Sequence, residues 1–254
     1  MTGVLVATGV CRWREEPGGP VPVVRDVTLR VDEAEVVAVL GRSGSGTTAL
    51  LACCGCLDPP DRGQVLIGGR DVTRLARPER EAFLQRSIGW VTQRPRLLPT
   101  LTVQENVAVV MRIAGAAEEA AAEAAQMGLE AVGLERRAHR LAGELSTAEQ
   151  RRLALARALV RGPALLVADQ PTALLDPGAR QGVLNLLRDA ADAGAAVLIA
   201  TRDRTTAAVA DRVLVMEAGT VEAAGPAPGR GTATARIALP AHLPTGSRAS
   251  SGRA

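Results

Sequence analysis

Short, continuous apolar runs recur along the chain, separated by longer stretches with helical spacing. Val36–Leu40 (VVAVL) stops at Gly41 and reads as a buried strand. QVLIGG, SIGWVTQ, ALLVAD, AAVLIAT and RVLVME read as further strands. Helical patterning covers TTALLACCGC, Pro78–Arg86 with its proline near the start, AEQRRLALARALV, Pro177–Ala191 and Arg204–Ala210. The pattern is also helical from Val103 to Leu141, where the Ala/Glu-rich AAEEAAAEAAQMGLEAVGL is a strong helix former. Ser146–Thr147–Ala148–Glu149 has the form of a capping box opening the helix that follows. Apolar strands alternating with helices predict an α/β fold around a parallel sheet covered on both faces. From about Ala223 the composition shifts to Gly, Pro, Ala, Ser and Arg. The expectation is therefore one domain over 1–222 and a disordered tail over 223–254.

Composition narrows the function classes. The 254 residues suffice for a sizeable core, and at 47% hydrophobic but 1% aromatic that core must be aliphatic. The net charge of +3, with no aromatic–basic stripe, does not point to nucleic acid. The sequence has no apolar run long enough for a transmembrane helix and no signal-peptide pattern, so a cytoplasmic chain is expected. Cys11, Cys53, Cys54 and Cys56, three of them clustered in CCGC, lack a second ligand pair for a metal centre and read as small, buried, reduced side chains on one helix. His139 and His242 lie in a helical linker and in the tail, and neither suits a base or ligand. All 30 basic residues are arginine; the chain contains no lysine.

That absence bears on the first chemical feature. Gly41-Arg-Ser-Gly-Ser-Gly-Thr-Thr48 follows a strand and opens a helix, with the spacing of a phosphate-binding GxxxxGK[ST] loop. Small residues let successive backbone N–H groups turn toward phosphate oxygens, and the helix presents its positive end to the same anion. Thr48 stands at the Mg²⁺-binding hydroxyl position, but Thr47 occupies the lysine position.

The ordered set Ser43–Thr48, Val91-Thr-Gln93, Leu145-Ser146, ALLVAD ending at Asp169, Leu175-Asp176 and Ala200-Thr201 resembles the ATP-binding subunits of ABC transporters over about residues 4–222. IGWVTQRPRLLPTLTVQENV is most similar to their lipoprotein-release and macrolide-export branch. The resemblance implies a P-loop NTPase core with a mainly parallel sheet, an N-terminal antiparallel β part and an α-helical subdomain at about 94–150. It implies ATP and Mg²⁺ as cofactors. Trp13, ahead of the first long strand, would stack on adenine. Gly41, Ser43, Gly44, Ser45, Gly46, Thr47 and Thr48 would surround the phosphates. Thr48, Gln93 and Asp169 would serve the metal. Ser146 would begin the signature helix that faces a second subunit's nucleotide, and Asp176 would lie in a loop crossing that interface. Implied partners are a membrane permease and a second ATP-binding subunit, in a homodimer or a heterodimer with an intact partner. The chain would sit peripherally at the inner face of the membrane.

Four elements depart from the family pattern. Thr47 replaces lysine, Thr147 and Ala148 replace the two signature glycines, Gln170 replaces a carboxylate, and Arg202 replaces a histidine. Gln170 and Arg202 thus occupy catalytic positions in altered form. An amide cannot accept a proton as a carboxylate does. Arg202 either restores some of the charge missing at 47, since arginine pairs with phosphate bidentately, or reflects drift, the preferred reading. Arg42 is given little weight, because the family directs that position away from phosphate. Asp203 and Glu149 read as capping or surface charges. The expectation is an ATP-binding subunit coupled to a permease with impaired or absent hydrolysis; the alternative is a regulatory scaffold that no longer binds nucleotide.

Overall fold

A computed structural model describes residues 3–226. In chain order the elements are β1 (Leu5–Arg14), β2 (Val21–Val31), β3 (Val36–Gly41), α1 (Thr47–Cys54), β4 (Arg62–Ile67), β5 (Arg70–Asp71), α2 (Arg77–Ser87) and β6 (Ile88–Val91). There follow α3 (Val103–Ile113), α4 (Glu118–Ala131), α5 (Thr147–Leu159), β7 (Leu165–Asp169), α6 (Pro177–Asp192), β8 (Ala196–Thr201), α7 (Arg204–Ala207), β9 (Arg212–Glu217) and β10 (Thr220–Pro226).

Two sheets result. The larger has the order β10-β9-β3-β8-β7-β6, parallel throughout except for β10, which runs antiparallel to β9. The smaller, β2-β1-β4-β5, is antiparallel. The expected mainly parallel core, antiparallel N-terminal part and helical insertion are all present.

The continuous apolar runs are explained by burial on both sheet faces. Along β3, Val36 and Ala38 join a core with α3–α7, while Val37 and Val39 join a core with α1 and the small sheet. In β7, Leu166 and Ala168 face the first core, and Leu165 and Val167 the second. Side chains alternate along a strand, so only an apolar run satisfies both layers.

Several boundaries differ from the sequence pattern. The stretch Val103–Leu141 is not one helix but α3, α4 and a 3-10 turn at Glu135–Arg137, which leaves His139 in a turn. Helix α7 ends at Ala207 rather than 210. Trp13 lies inside β1 rather than ahead of a strand; that strand was masked by the flanking Arg12 and Arg14. Strand β10 reaches Pro226, past the expected boundary at 222, because it completes the β9 hairpin. The remainder of the expected tail, with His242, lies outside the described residues. Among the described residues no helix is long and apolar enough to cross a membrane.

The cysteines do not share one helix as expected: Cys53 and Cys54 lie on α1 and Cys56 just beyond it, all buried, while Cys11 is half-buried on β1, because the chain turns out of the helix at Gly55 and Cys11 belongs to the small sheet. Burial pushes the Cys53 thiol up to about 12 and the Cys54 and Cys56 thiols upward as well, which keeps them protonated and inert. No group of three or more His, Cys, Asp or Glu among the described residues could hold a metal ion.

Candidate functional site

Parallel strands deliver their C-terminal ends to one edge of a sheet, where ligands of open α/β folds bind. Here Leu40 pairs with Thr201, Asp169 with Ala200, and Ala168 with Val91. That register brings Gly41, Arg202, Asp169 and Gln93 to the same edge. A cleft of about 630 Å³ opens there, and its walls include Trp13, Ser43, Gly44, Gly46, Thr47, Thr48, Gln93, Gln170 and Arg202.

The loop between β3 and α1 is shaped by its backbone. Gly46 caps α1 with φ +103°, and a Cβ there would lie 2.0 Å from the Val23 carbonyl oxygen. Only glycine allows this packing against β2. The Ser45 N–H donates to the Arg42 carbonyl at 3.1 Å, and the Gly219 N–H donates to the Ser45 carbonyl at 3.0 Å. Gly41 and Ser45 support the loop from beneath and do not line the cleft. Gly46, Thr47, Thr48 and Ala49 line the cleft, so the N-terminus of α1, whose first N–H groups have no partner within the helix, borders it.

Thr47 is buried at this helix start. Next to it the Thr48 hydroxyl donates to Asp169 Oδ2 at 2.9 Å. The other carboxylate oxygen, Asp169 Oδ1, is buried without a partner, and so is Ser45 Oγ. Burial raises the Asp169 carboxyl above the usual carboxylate range, opposed by the Thr48 hydrogen bond and the positive charge of Arg202. A buried, unsatisfied carboxylate oxygen beside a hydroxyl is a hard oxygen donor set that fits Mg²⁺. Mg²⁺ takes few protein ligands because water and phosphate complete its shell, so no acidic cluster is required.

Gln170 follows Asp169 with φ +49°, and its N–H donates to the Ala200 carbonyl at 2.9 Å. This left-handed turn carries its side chain to the cleft wall. Arg202, one residue beyond β8, is exposed there, and Arg42 lines the cleft as well, contrary to the weight given to it from sequence. Asp203 accepts from the Thr205 N–H and the Thr206 hydroxyl, both at 3.0 Å, and so caps α7 as expected.

Gln93 sits on the loop after β6, which α5 holds in place. Buried Arg151 donates to the Thr92 carbonyl at 3.1 Å, and Arg157 donates to the Arg96 carbonyl at 2.6 Å. Asn106, fully buried on α3, clamps the same loop by accepting from the Leu98 N–H and donating to the Leu98, Leu101 and Thr102 carbonyls.

Asp169, like Gly41 and Ser45, lies behind the cleft wall and reaches it only through Thr48, and two further expected residues stand away from it altogether. Ser146 is exposed at the start of α5, where its hydroxyl caps the helix in a reciprocal box with Glu149. Asp176 caps α6 by accepting from the Ala179 N–H at 2.9 Å. Conversely, Arg12, Arg14, Glu15, Asp58 and Asp61 line the cleft beside Trp13 without having been singled out in the sequence. They meet through the pairing of β1 with β4, which no local motif announces.

The described geometry agrees with what the chain is similar to. The ABC transporter family matches residues 24–173. A lipoprotein-releasing system ATP-binding protein LolD of Hyphomonas neptunium is 37% identical over 220 residues, covering 86% of this chain and 96% of that protein. A macrolide export ATP-binding/permease protein MacB of Chromobacterium violaceum is 36% identical over 224 residues, covering 87% of this chain but 35% of that protein. A dimeric ATP-binding cassette, solved in a post-hydrolysis state with ADP and Pi, superimposes with a TM-score of 0.83 at 30% identity, over 89% of this chain and all of that one.

Proposed function

The chain belongs to the ABC transporter family as an ATP-binding subunit, and from that premise we propose that it binds Mg-ATP at the edge of the parallel sheet while hydrolysing it slowly or not at all. The observation that carries this reading is the pair Thr47 and Gln170 on the walls of one cleft. Phosphoryl transfer relies on positioning and on stabilising negative charge. The loop and the α1 N-terminus still offer backbone donors, and Thr48 with Asp169 would still hold Mg²⁺, which when bound neutralises phosphate charge. Thr47 adds no cation, and the Gln170 amide orients a water without accepting its proton. Gln93 and Trp13 serve the metal and the base.

The chain works as one half of a head-to-tail dimer on the cytoplasmic side of a membrane permease. The relatives' names and the dimeric solved cassette support this assembly. In a homodimer both sites carry every defect. With an intact partner the defects divide between the two sites.

Purified protein assayed beside Thr47→Lys/Gln170→Glu tests the catalytic part. One lost oriented donor in such a site costs about 10²–10³ in rate, so the double variant is expected to be faster by at least that factor. Turnover of the unaltered chain at about 1–10² s⁻¹ rejects impaired hydrolysis. A melting temperature insensitive to Mg-ATP rejects nucleotide binding and leaves the scaffold alternative.

A further inference from the structure

Trp13 is held by an arrangement that no phosphate-loop motif contains. Its backbone N–H donates to Asp61 Oδ2 at 2.7 Å, while Asp61 Oδ1 accepts from Arg12 Nη1 at 3.1 Å. Arg12 also donates to the Pro59 carbonyl at 3.2 Å, and the Asp61 N–H donates to the Cys11 carbonyl at 2.9 Å. Both Asp61 oxygens are thus engaged in fixing Arg12 and Trp13, and its N–H in fixing Cys11. The next residue, Arg62, places its guanidinium carbon 5.5 Å from the centroid of the Trp13 ring. Trp13 lines the cleft and Arg62 does not, so Arg62 meets the ring from outside the cleft.

The strand pairing explains how Arg62 arrives there. β4 pairs with β1 as Thr8↔Gln64 and Cys11↔Arg62, with a bulge between. At that bulge Gly63 has φ +89°, and a Cβ would lie 2.3 Å from the Gly9 carbonyl oxygen. Only glycine lets β4 pass so close and carry Asp61-Arg62 across to Trp13.

We propose that Asp61 and Arg62 are positioning residues that set Trp13 as a one-faced stacking platform, with the open face reserved for the nucleobase. This rests on the nucleotide-binding reading above. A guanidinium within about 6 Å of an indole is attracted to its face, and that contact restricts the ring before any ligand arrives. A pre-set ring loses less freedom on stacking. The effect is confined to ligands that carry a base; a bare polyphosphate has nothing to stack.

The test is calorimetric titration of the full chain with Mg-ATP and, in parallel, Mg-tripolyphosphate. Base–aromatic stacking is worth about 1–3 kcal/mol, so Trp13→Ala sets a ceiling of roughly 5- to 150-fold weaker Mg-ATP binding. Arg62→Ala is expected to lose about two- to tenfold for Mg-ATP, with Mg-tripolyphosphate changed by less than about twofold. Arg62→Lys, which keeps charge but not the planar fork, falls between the unaltered chain and Arg62→Ala. Arg62 is exposed, and unliganded melting curves verify that its variants fold. Equal weakening of both ligands, or no change in either, overturns the proposal. If the unaltered chain binds both ligands with the same affinity, the platform fails while the phosphate site stands. If it binds neither, the nucleotide reading fails and the platform falls with it.

Discussion

Burial raises the Asp169 carboxyl above its unfolded value, and this fixes the sign of its effect on stability. A carboxyl with a raised folded pKa favours the fold while protonated, and that contribution is lost as pH rises through the folded value. Burial with one oxygen unsatisfied therefore disfavours the charged form of Asp169 in the folded chain. Asp169→Asn keeps an acceptor for Thr48 and removes the charge. The variant is expected to melt at a higher temperature than the parent without ligand, and to lose the rise that Mg-ATP gives the parent, about 2.7 kcal/mol at a hundredfold excess over Kd. A variant that melts lower without ligand, or still responds fully to Mg-ATP, contradicts the assignment of this carboxylate to the metal. Thr48 and Asp169 were both legible in the sequence, one by loop spacing and the other as the polar end of an apolar strand. Their 2.9 Å contact was not, since 121 positions separate them and the sheet register alone joins them.

At the scale of elements, α5 holds the loop after β6 through Arg151 and Arg157, so its N-terminal cap has consequences beyond its own first turn. Ser146 accepts from the Glu149 N–H at 3.3 Å, and Glu149 accepts from the Ser146 N–H at 2.9 Å. Removing such a cap typically costs about 1 kcal/mol, the loss expected from denaturant unfolding of Ser146→Ala. The Ser146 backbone and hydroxyl hold the Glu149 carboxyl below its ordinary value. Its stabilisation is therefore present above the unfolded carboxylate pKa of about 4.3 and is lost as pH falls through the lower folded value. Glu149→Gln should flatten the acid limb of the stability curve; an unchanged limb means the box contributes nothing. This cap was readable because all its groups lie within four consecutive positions. Asp61-Arg62 was not, because its role exists only once β4 lies beside β1. The break between α3 and α4 also escaped the helical pattern, since both helices keep apolar faces against one core.

For the whole molecule, the distances between motifs matter more than the motifs themselves. Ser146, Thr147 and Ala148 stand at the start of α5, away from the cleft that Thr47, Gln170 and Arg202 line. Within one chain these sets of altered residues do not meet. In the proposed head-to-tail dimer each loop faces the other chain's signature helix, so repairs on different chains should complement one another. One variant carries Thr47→Lys/Gln170→Glu/Arg202→His and the other Thr147→Gly/Ala148→Gly. In a homodimer of the first, both repaired loops face altered signature helices. In a homodimer of the second, both repaired signatures face altered loops. In the mixed dimer one site joins repaired loop to repaired signature, and the other joins two altered halves. Mixing the two proteins is therefore expected to give faster ATP turnover than the sum of each alone, rising with the fraction of mixed dimer. Additive rates at every ratio would mean that each cleft works with its own chain, and the division of defects between subunits would have no basis.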